Sequence, residues 1–252
     1  MGEKNGTGYV NPAVSVDVLV FTVSGGELSL LLIRRSEPPF AGSWAIPGGF
    51  LGETETAEET AGRKLLEKTG VSDPHLEQLC TVSTLERDPR MRVVTIAYLA
   101  LIPYGSLRFN PGVGAVDIGL FAAREQEDGR ILWQNREKGI VLAPEDLAFD
   151  HGSIAHTALA RLKGKVEYTD IAMSLLEDRE RFTLVELQEI YEAILGRSLD
   201  PGNFRRDIRK RYEASGKIEN RREKETLREG SRGPRPVLYR WIAQGRGPGG
   251  AA

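Results

Sequence analysis

The sequence predicts an α+β protein: a strand-rich first domain followed by a helical domain that ends in a winged helix-turn-helix. Three features lead to this reading. β-rich runs dominate about the first hundred residues, two capped helices joined by a short loop follow Arg181, and the net charge changes sign between the two halves.

Two runs of β-branched and aliphatic residues, VSVDVLVFTV and LSLLLIRR, are separated by SGGE, whose paired glycines suit a tight hairpin turn. A third run, RVVTIAYLALIP, has turn formers before it (ERDPR) and after it (PYG). Between the second and third runs lies Gly48 to Val71, GGFLGETETAEETAGRKLLEKTGV. It has a glycine-rich entry, an acidic first turn and a Gly-aliphatic exit, which are helix start and stop signals. Gly62 inside this helix costs ~1 kcal/mol relative to alanine and is read as a sign of close packing. SIAHTALARLKGKV and IAMSLL are helical candidates in the second half. FTLVELQEIYEAILG is a stronger one: Thr183 and Glu186 form a capping box, Leu184, Leu187, Ile190, Tyr191 and Ile194 make an apolar stripe, and Gly196 stops the helix. Asp200 then caps a second helix, PGNFRRDIRKRYEASG, with Pro201 in its first turn and Gly216 at its end.

The expected domains are residues 1–153 and 154–242, with 243–252 read from its glycine content as a disordered tail. From Ala155 onward there are 20 Lys+Arg against 15 Asp+Glu, a net +5, so the residues before it carry −7. The different signs predict different partners for the two halves. One cysteine, Cys80, excludes an internal disulfide and fits a reducing cytoplasm. His75, His151 and His156 have no metal-ligand spacing and are read as structural or surface residues. The longest apolar run, Val93 to Pro103, is far short of the ~20 residues that span a bilayer, so the chain is expected to be cytoplasmic with no membrane partner.

The segment Asn203 to Arg240 holds 13 basic and 6 acidic residues. Two helices joined by about four residues, the second of them basic, match a helix-turn-helix. Phe204, Ile208 and Tyr212 recur at i, i+4 and i+8 as a buried stripe, which leaves Asn203, Arg205, Arg206, Arg209 and Lys210 on the other faces. Asparagine forks adenine and arginine forks guanine in the major groove, while the remaining cations meet phosphates. The following basic segment ends in VLYRW and suits a two-stranded wing, from which Arg221, Arg222 and Arg235 would lie along a phosphate or in a minor groove. The alternatives are an exposed basic hairpin, or a domain that binds protein or RNA.

The stretch from Gly48 to Val71 resembles the signature of the Nudix hydrolase family. Gly49, Glu55, Arg63, Leu65, Glu67, Gly70 and Val71 match that signature, and FAGSWAIPGGF resembles the family's approach to it. Lys64 and Lys68 stand where the family has glutamates. The resemblance implies a Nudix-type α/β/α sandwich. In the intact family the acidic residues hold divalent cations, usually magnesium, which bridge a pyrophosphate and activate water. Lys64, Glu67 and Lys68 are spaced to share a helix face, and one carboxylate between two ammonium groups is a poor magnesium site. No catalytic residue and no metal ligand is therefore assigned. A lysine can serve as counter-charge to a diphosphate, or both lysines are solvated surface residues. Glu59, Arg63 and Glu67, at i+4 spacing, are read as an ion ladder or as ligand contacts.

A degenerate Nudix domain before a winged helix is similar to the Nudix-related transcriptional regulators of bacterial NAD metabolism, over about Val14 to Trp241 and including RDPR before the third strand. That resemblance implies a homodimeric repressor of NAD biosynthesis or salvage genes. Its Nudix domain would bind ADP-ribose or a related NAD-derived effector and thereby change affinity for a palindromic double-stranded DNA operator, with no cofactor required. The ligand contacts expected are Arg34, Trp44, Gly48, Gly49, Lys64, Glu67, Lys68 and Arg87; Trp44 either stacks on a base or fills the core, and Arg34 or Arg35 meets a phosphate. The rival reading is an active ADP-ribose pyrophosphatase in which Glu55, Glu58, Glu59 and Glu67 assemble a displaced metal site.

Overall fold

A computed structural model describes residues 11–72, 75–221 and 237–242; Arg222, Arg235 and the expected tail 243–252 lie outside the described residues. Strands β1 (Ala13–Ser24) and β2 (Glu27–Arg35) form the expected hairpin. Gly25 and Gly26 both take left-handed backbone angles, φ 58° and 74°, and close a two-residue turn opposite the Ser24–Glu27 pair. A primed turn needs positive φ at both positions, where glycine carries no steric penalty.

Short strands β3 (Trp44–Ala45) and β4 (Gly48–Phe50) pair with β2 and β1. Helix α1 (Ala57–Thr69) follows, then β5 (Leu76–Val82) and β6 (Val93–Leu101), the expected third strand. β6 lies parallel to β1, so the sheet is mixed. Strands β7 (Ala115–Glu125), β8 (Ile131–Asn135) and β9 (Ile140–Leu142) complete a nine-stranded sheet with principal order β5-β6-β1-β2-β7-β8-β9.

Both faces of this sheet are covered, which explains why Val16 to Thr22 is buried without alternation. Val16, Val18 and Val20 pack with Ala61 and Leu65 of α1. Leu19 and Phe21 point the other way, into a cluster that includes Ile154, Ala155, Ala158, Leu159 and Leu162 of helix α2 (His151–Val166). These three layers form the α/β/α sandwich. The boundary expected between residues 153 and 154 falls inside α2, which runs across it unbroken.

IAMSLL makes only a short 3₁₀ turn, Ile171–Leu175. After it come β10 (Phe182–Thr183), α3 (Leu184–Leu195), α4 (Pro201–Ile208), a π-type turn at Arg209–Glu213, β11 (Ile218–Arg221) and β12 (Leu238–Trp241). Both halves of the Thr183–Glu186 capping box are formed and Gly196 ends α3 at φ 70°. Leu184, Leu187, Ile190, Tyr191 and Ile194 are all buried, each contributing about 1.5–3 kcal/mol relative to exposure. Asp200 caps α4 by accepting from the Asn203 N–H at 2.7 Å. The wing is three-stranded, in the order β10-β12-β11. One apolar cluster runs from Leu19 in the large sheet to Tyr239 in the wing, so the helical half packs directly onto the sheet.

Candidate functional site

A cavity of about 180 Å³ opens where β1, β2, β4 and β6 meet the loop before β6 and the start of α2. Its wall brings together Arg35, Arg87 and Arg90, two carboxylates (Asp17 and Asp88), and the rings of Phe50 and Phe149. Arg87 is the most buried of the three arginines. Its Nη2 and Nε donate to the two carboxylate oxygens of Asp150 at 2.8 and 3.0 Å, and Nη2 also reaches Asp17 Oδ2 at 3.4 Å. Asp17 in turn accepts from Thr95 Oγ1 at 2.7 Å.

His151, the first residue of α2, is 4% exposed, and burial pushes its imidazole pKa below the usual value, against the pull of Asp17. Its Nδ1 accepts the Ile46 N–H at 2.9 Å, which fits a neutral ring. Arg35 lies over the Phe149 ring at 4.9 Å and donates to the Pro39 and Glu37 carbonyls. Desolvation, then the nearby Arg90, lowers its pKa. Arg90 forks Asp88 at 2.8 and 3.0 Å and covers the Phe50 ring at 5.6 Å. Cationic forks beside aromatic faces in a partly dry cleft suit a phosphate-bearing aromatic ligand.

Gly48 and Gly49 both line this cavity. A Cβ at Gly48 would collide with Asp17 and the Val16 carbonyl, so the close β4–β1 approach needs glycine there. A Cβ at Gly49 would meet Lys64 Cε at 2.7 Å, which puts the Lys64 stem against the cavity's glycine wall.

The remainder of the box is occupied by internal ion pairs. Arg63 forks Glu55 through two bonds of 2.6 Å and donates to Glu67 at 3.2 Å, while Lys64 donates to the other Glu67 oxygen at 3.1 Å. The Arg63 fork, with help from Thr60, holds the Glu55 carboxyl down at about 2. Lys68 is 3% exposed, donates to the Pro111 carbonyl and to Val113 O at 3.0 Å, and has its pKa lowered by burial. A divalent cation does not fit these side chains: the Glu55 and Glu67 oxygens are engaged by cations, and positions 64 and 68 both carry ammonium groups. Among the described residues no group of three acidic, histidine or cysteine side chains could hold a metal ion.

Several expected contacts are corrected by this geometry. Trp44 is core, 5% exposed and packed edge-on against Phe121 at 4.7 Å, so it offers no stacking face. Arg34 donates to the Gly42 carbonyl and lies near Asp117, away from the cavity, because alternation along β2 turns Arg35 inward instead. Lys68 faces the 111–113 loop and Glu67 faces Arg63 and Lys64, so neither lines the cavity. Arg87, an expected ligand contact, does line the cavity, where it and Asp88 are both buried. Glu59 belongs to a capping box with Thr56, so the Glu59–Arg63 step of the ladder is missing and Glu55 replaces it. A Cβ at Gly62 would meet nothing within 4 Å, so that glycine does not mark close packing.

Asp17, Phe50, Arg90 and Phe149 escaped the sequence reading as cavity residues, and His151, which that reading takes for a structural or surface residue, lines the cavity as well. One signal was present: Asp17 is a carboxylate in the middle of an apolar strand, and such a group requires buried partners.

In the helical half, Phe204, Ile208 and Tyr212 are buried, and Asn203, Arg205, Arg206, Arg209 and Lys210 are exposed. Arg209 reaches Tyr239 OH in β12 at 3.4 Å, so this helix face and the wing adjoin. Arg221 ends β11 and donates to the Glu180 carbonyl at 3.4 Å.

The NUDIX domain model matches residues 11–111, and the NrtR DNA-binding winged helix domain model matches residues 173–240. The chain is 38% identical over 239 residues to the ADPR responsive transcriptional repressor NtrR of Acinetobacter baylyi, covering 94% of this chain and 84% of that protein. Over 100 residues, 40% of this chain and 57% of the relative, it is 36% identical to an ADP-ribose pyrophosphatase of Methanocaldococcus jannaschii. The crystal structure of Shewanella oneidensis NrtR complexed with a 27mer DNA superposes with a TM-score of 0.67 at 34% identity, covering 91% of this chain and 93% of that one. With a Nudix domain ahead of an NrtR winged helix, and identity sustained across nearly the whole length, the chain belongs to the NrtR family of Nudix-related transcriptional regulators.

Proposed function

We propose that this protein is a DNA-binding transcriptional repressor of NAD biosynthesis or salvage genes whose operator affinity is set by ADP-ribose or a related NAD-derived metabolite. The observation that carries the reading is the exposed row of Asn203, Arg205, Arg206, Arg209 and Lys210 beside a three-stranded wing, in a chain of which 94% aligns with a repressor named for its response to ADP-ribose. Arg221, at the end of β11, extends the basic face, and Arg222 and Arg235 are proposed from the sequence as further DNA contacts. The effector binds the cavity beside Gly48 and Gly49, its phosphates on Arg87, Arg35 or Arg90 and an aromatic ring against Phe50 or Phe149, with Lys64 behind Gly49. Residues 1–153 sense, residues 154–242 bind DNA, and α2 is shared between them. The protein acts in the cytoplasm as a homodimer on a palindromic operator, since two-fold symmetry in the protein is matched by two-fold symmetry in the half-sites.

No magnesium is needed for effector binding, and hydrolysis is absent or very slow, because the box carboxylates are spent on Arg63 and Lys64. The second reading, an ADP-ribose pyrophosphatase with an accessory winged helix, draws on the likeness of the first domain to a pyrophosphatase. Fluorescence anisotropy on duplex DNA from upstream of its own gene and of neighbouring NAD genes, with and without ADP-ribose, separates the two. Sequence-specific binding that ADP-ribose changes, with no AMP released in the presence of magnesium, supports the repressor. AMP release and no specific DNA binding supports the enzyme.

A further inference from the structure

Asp150 stands at the N-cap of α2, a position where aspartate ordinarily accepts from the first-turn N–H groups. Here its side chain makes no capping hydrogen bond. Both oxygens are taken by the Arg87 fork, at 2.8 and 3.0 Å, and Arg87 lines the cavity. A guanidinium fork that fits a carboxylate fits a phosphate as well. In the first turn of α2 the His151 and Ser153 N–H groups already bond the Ala148 and Asp150 carbonyls, which leaves the Gly152 N–H for a capping side chain; Asp150 therefore has two mutually exclusive partners, Arg87 and that first turn. The following residue, His151, ties the same turn to the Ile46 N–H at 2.9 Å.

At its other end, α2 carries the helix-turn-helix. The Glu167 carbonyl at its C-cap accepts from Arg211, and the Thr169 carbonyl accepts from Arg211 Nη2 at 2.8 Å and Tyr212 OH at 3.1 Å. Arg211 and Tyr212 lie in the turn that prolongs α4. Lys217 at the start of the wing adds an ion pair to Asp170 at 2.7 Å. Sixteen residues of helix span ~24 Å between these two ends, and one continuous cluster of buried side chains surrounds α2 along the way. The helix lies between the segments matched by the two domain models.

We infer that Asp150 is a built-in stand-in for the effector's phosphate: an anion that takes Arg87 releases Asp150 to cap α2, and the resulting shift of α2 reaches the α4 face through Arg211 and Tyr212. This rests on the reading that a phosphate-bearing effector enters the cavity. Only a ligand that interacts differently with two arrangements can move an equilibrium between them, and exchange of partners at Asp150 supplies that difference.

The test uses full-length protein, ADP-ribose titrated by calorimetry, and operator DNA followed by anisotropy. Asp150→Asn and Asp150→Ser both retain capping ability and remove the competing charge. Each is expected to bind ADP-ribose about tenfold more tightly, the scale of one charge-assisted competitor lost. Without ligand, each should already show the DNA affinity that wild type reaches with ADP-ribose. Arg211→Gln is expected to bind ADP-ribose as wild type does while its DNA affinity no longer responds. Wild-type ligand affinity and wild-type response in both Asp150 variants would overturn the inference and leave the repressor reading standing. Failure of both Asp150 variants to fold overturns it too, since the Arg87 pair would then be obligatory rather than exchangeable. A wild-type protein that does not bind ADP-ribose removes the cavity reading itself.

Discussion

Returning the box to the Nudix pattern should damage this protein at one position and barely touch it at the other. Lys68 is 3% exposed and its ammonium donates to two backbone carbonyls, Pro111 O and Val113 O, which hold the loop ahead of β7. Hydrogen bonds from a charged donor contribute about 1.5–3 kcal/mol each. Lys68→Glu removes both and turns a buried carboxylate onto two carbonyl oxygens, so a loss of about 4 kcal/mol or more is expected. For a domain of this size that lowers the melting temperature by roughly 8–16 °C. Lys64 is 22% exposed in its side chain and makes one ion pair, to Glu67 at 3.1 Å. Lys64→Glu should cost about 1 kcal/mol or less, as other partly exposed pairs do. Differential scanning calorimetry of the two variants and of Lys68→Met, which loses the bonds without adding a carboxylate, gives the ranking. Lys68→Glu melting within 2–3 °C of wild type, about 1 kcal/mol or less on this scale, or Lys64→Glu proving the more harmful, would refute the carbonyl-clamp role of Lys68.

Three further outcomes follow from the geometry. The Glu55 carboxyl is held at about 2 by the Arg63 fork, below its ordinary 4.5. Its folded-state value is depressed, so its contribution to stability is complete above pH 4.5 and fades as pH falls through about 2; a carboxyl carbon NMR titration should show this midpoint, and in Arg63→Gln it should climb towards 4.5, whereas a wild-type midpoint near 4.5 contradicts the fork. Trp44→Ala should destabilise the fold by about 3–5 kcal/mol, as other large-to-small core changes do, while Trp44→Phe binds ADP-ribose with wild-type affinity, measured by calorimetry; a loss of ligand affinity in Trp44→Phe would restore the stacking role. Arg206 is 69% exposed in its side chain and pairs with the neighbouring Asp207 at 3.2 Å, so Arg206→Ala should weaken operator binding by about 1–3 kcal/mol in anisotropy with no change in melting temperature.

The sequence alone determined the parts whose signals are local. The Gly25–Gly26 hairpin, the Thr183–Glu186 capping box, the Gly196 stop and the Phe204, Ile208, Tyr212 stripe each depend on residues a few positions apart, and the backbone geometry obeys them. The order of strands, capped helices and a basic second helix was legible for the same reason, and so was the departure at Lys64 and Lys68. The tertiary structure decided the rest because it depends on which distant groups meet. Strand parity in β2, which pairs with β3 and β7 at this end, turned Arg35 rather than Arg34 to the cavity. Charges that look alike along the chain acquired different roles through burial: Lys68 clamps a loop, and Arg87 holds a carboxylate 63 residues away. The domain boundary could not be read from composition, because α2 is one helix whose buried face serves the sheet and the winged helix together. Desolvation and partner choice arise only once the chain has folded, and in this protein they separate the residues that shape the cavity from those that merely resemble a Nudix box.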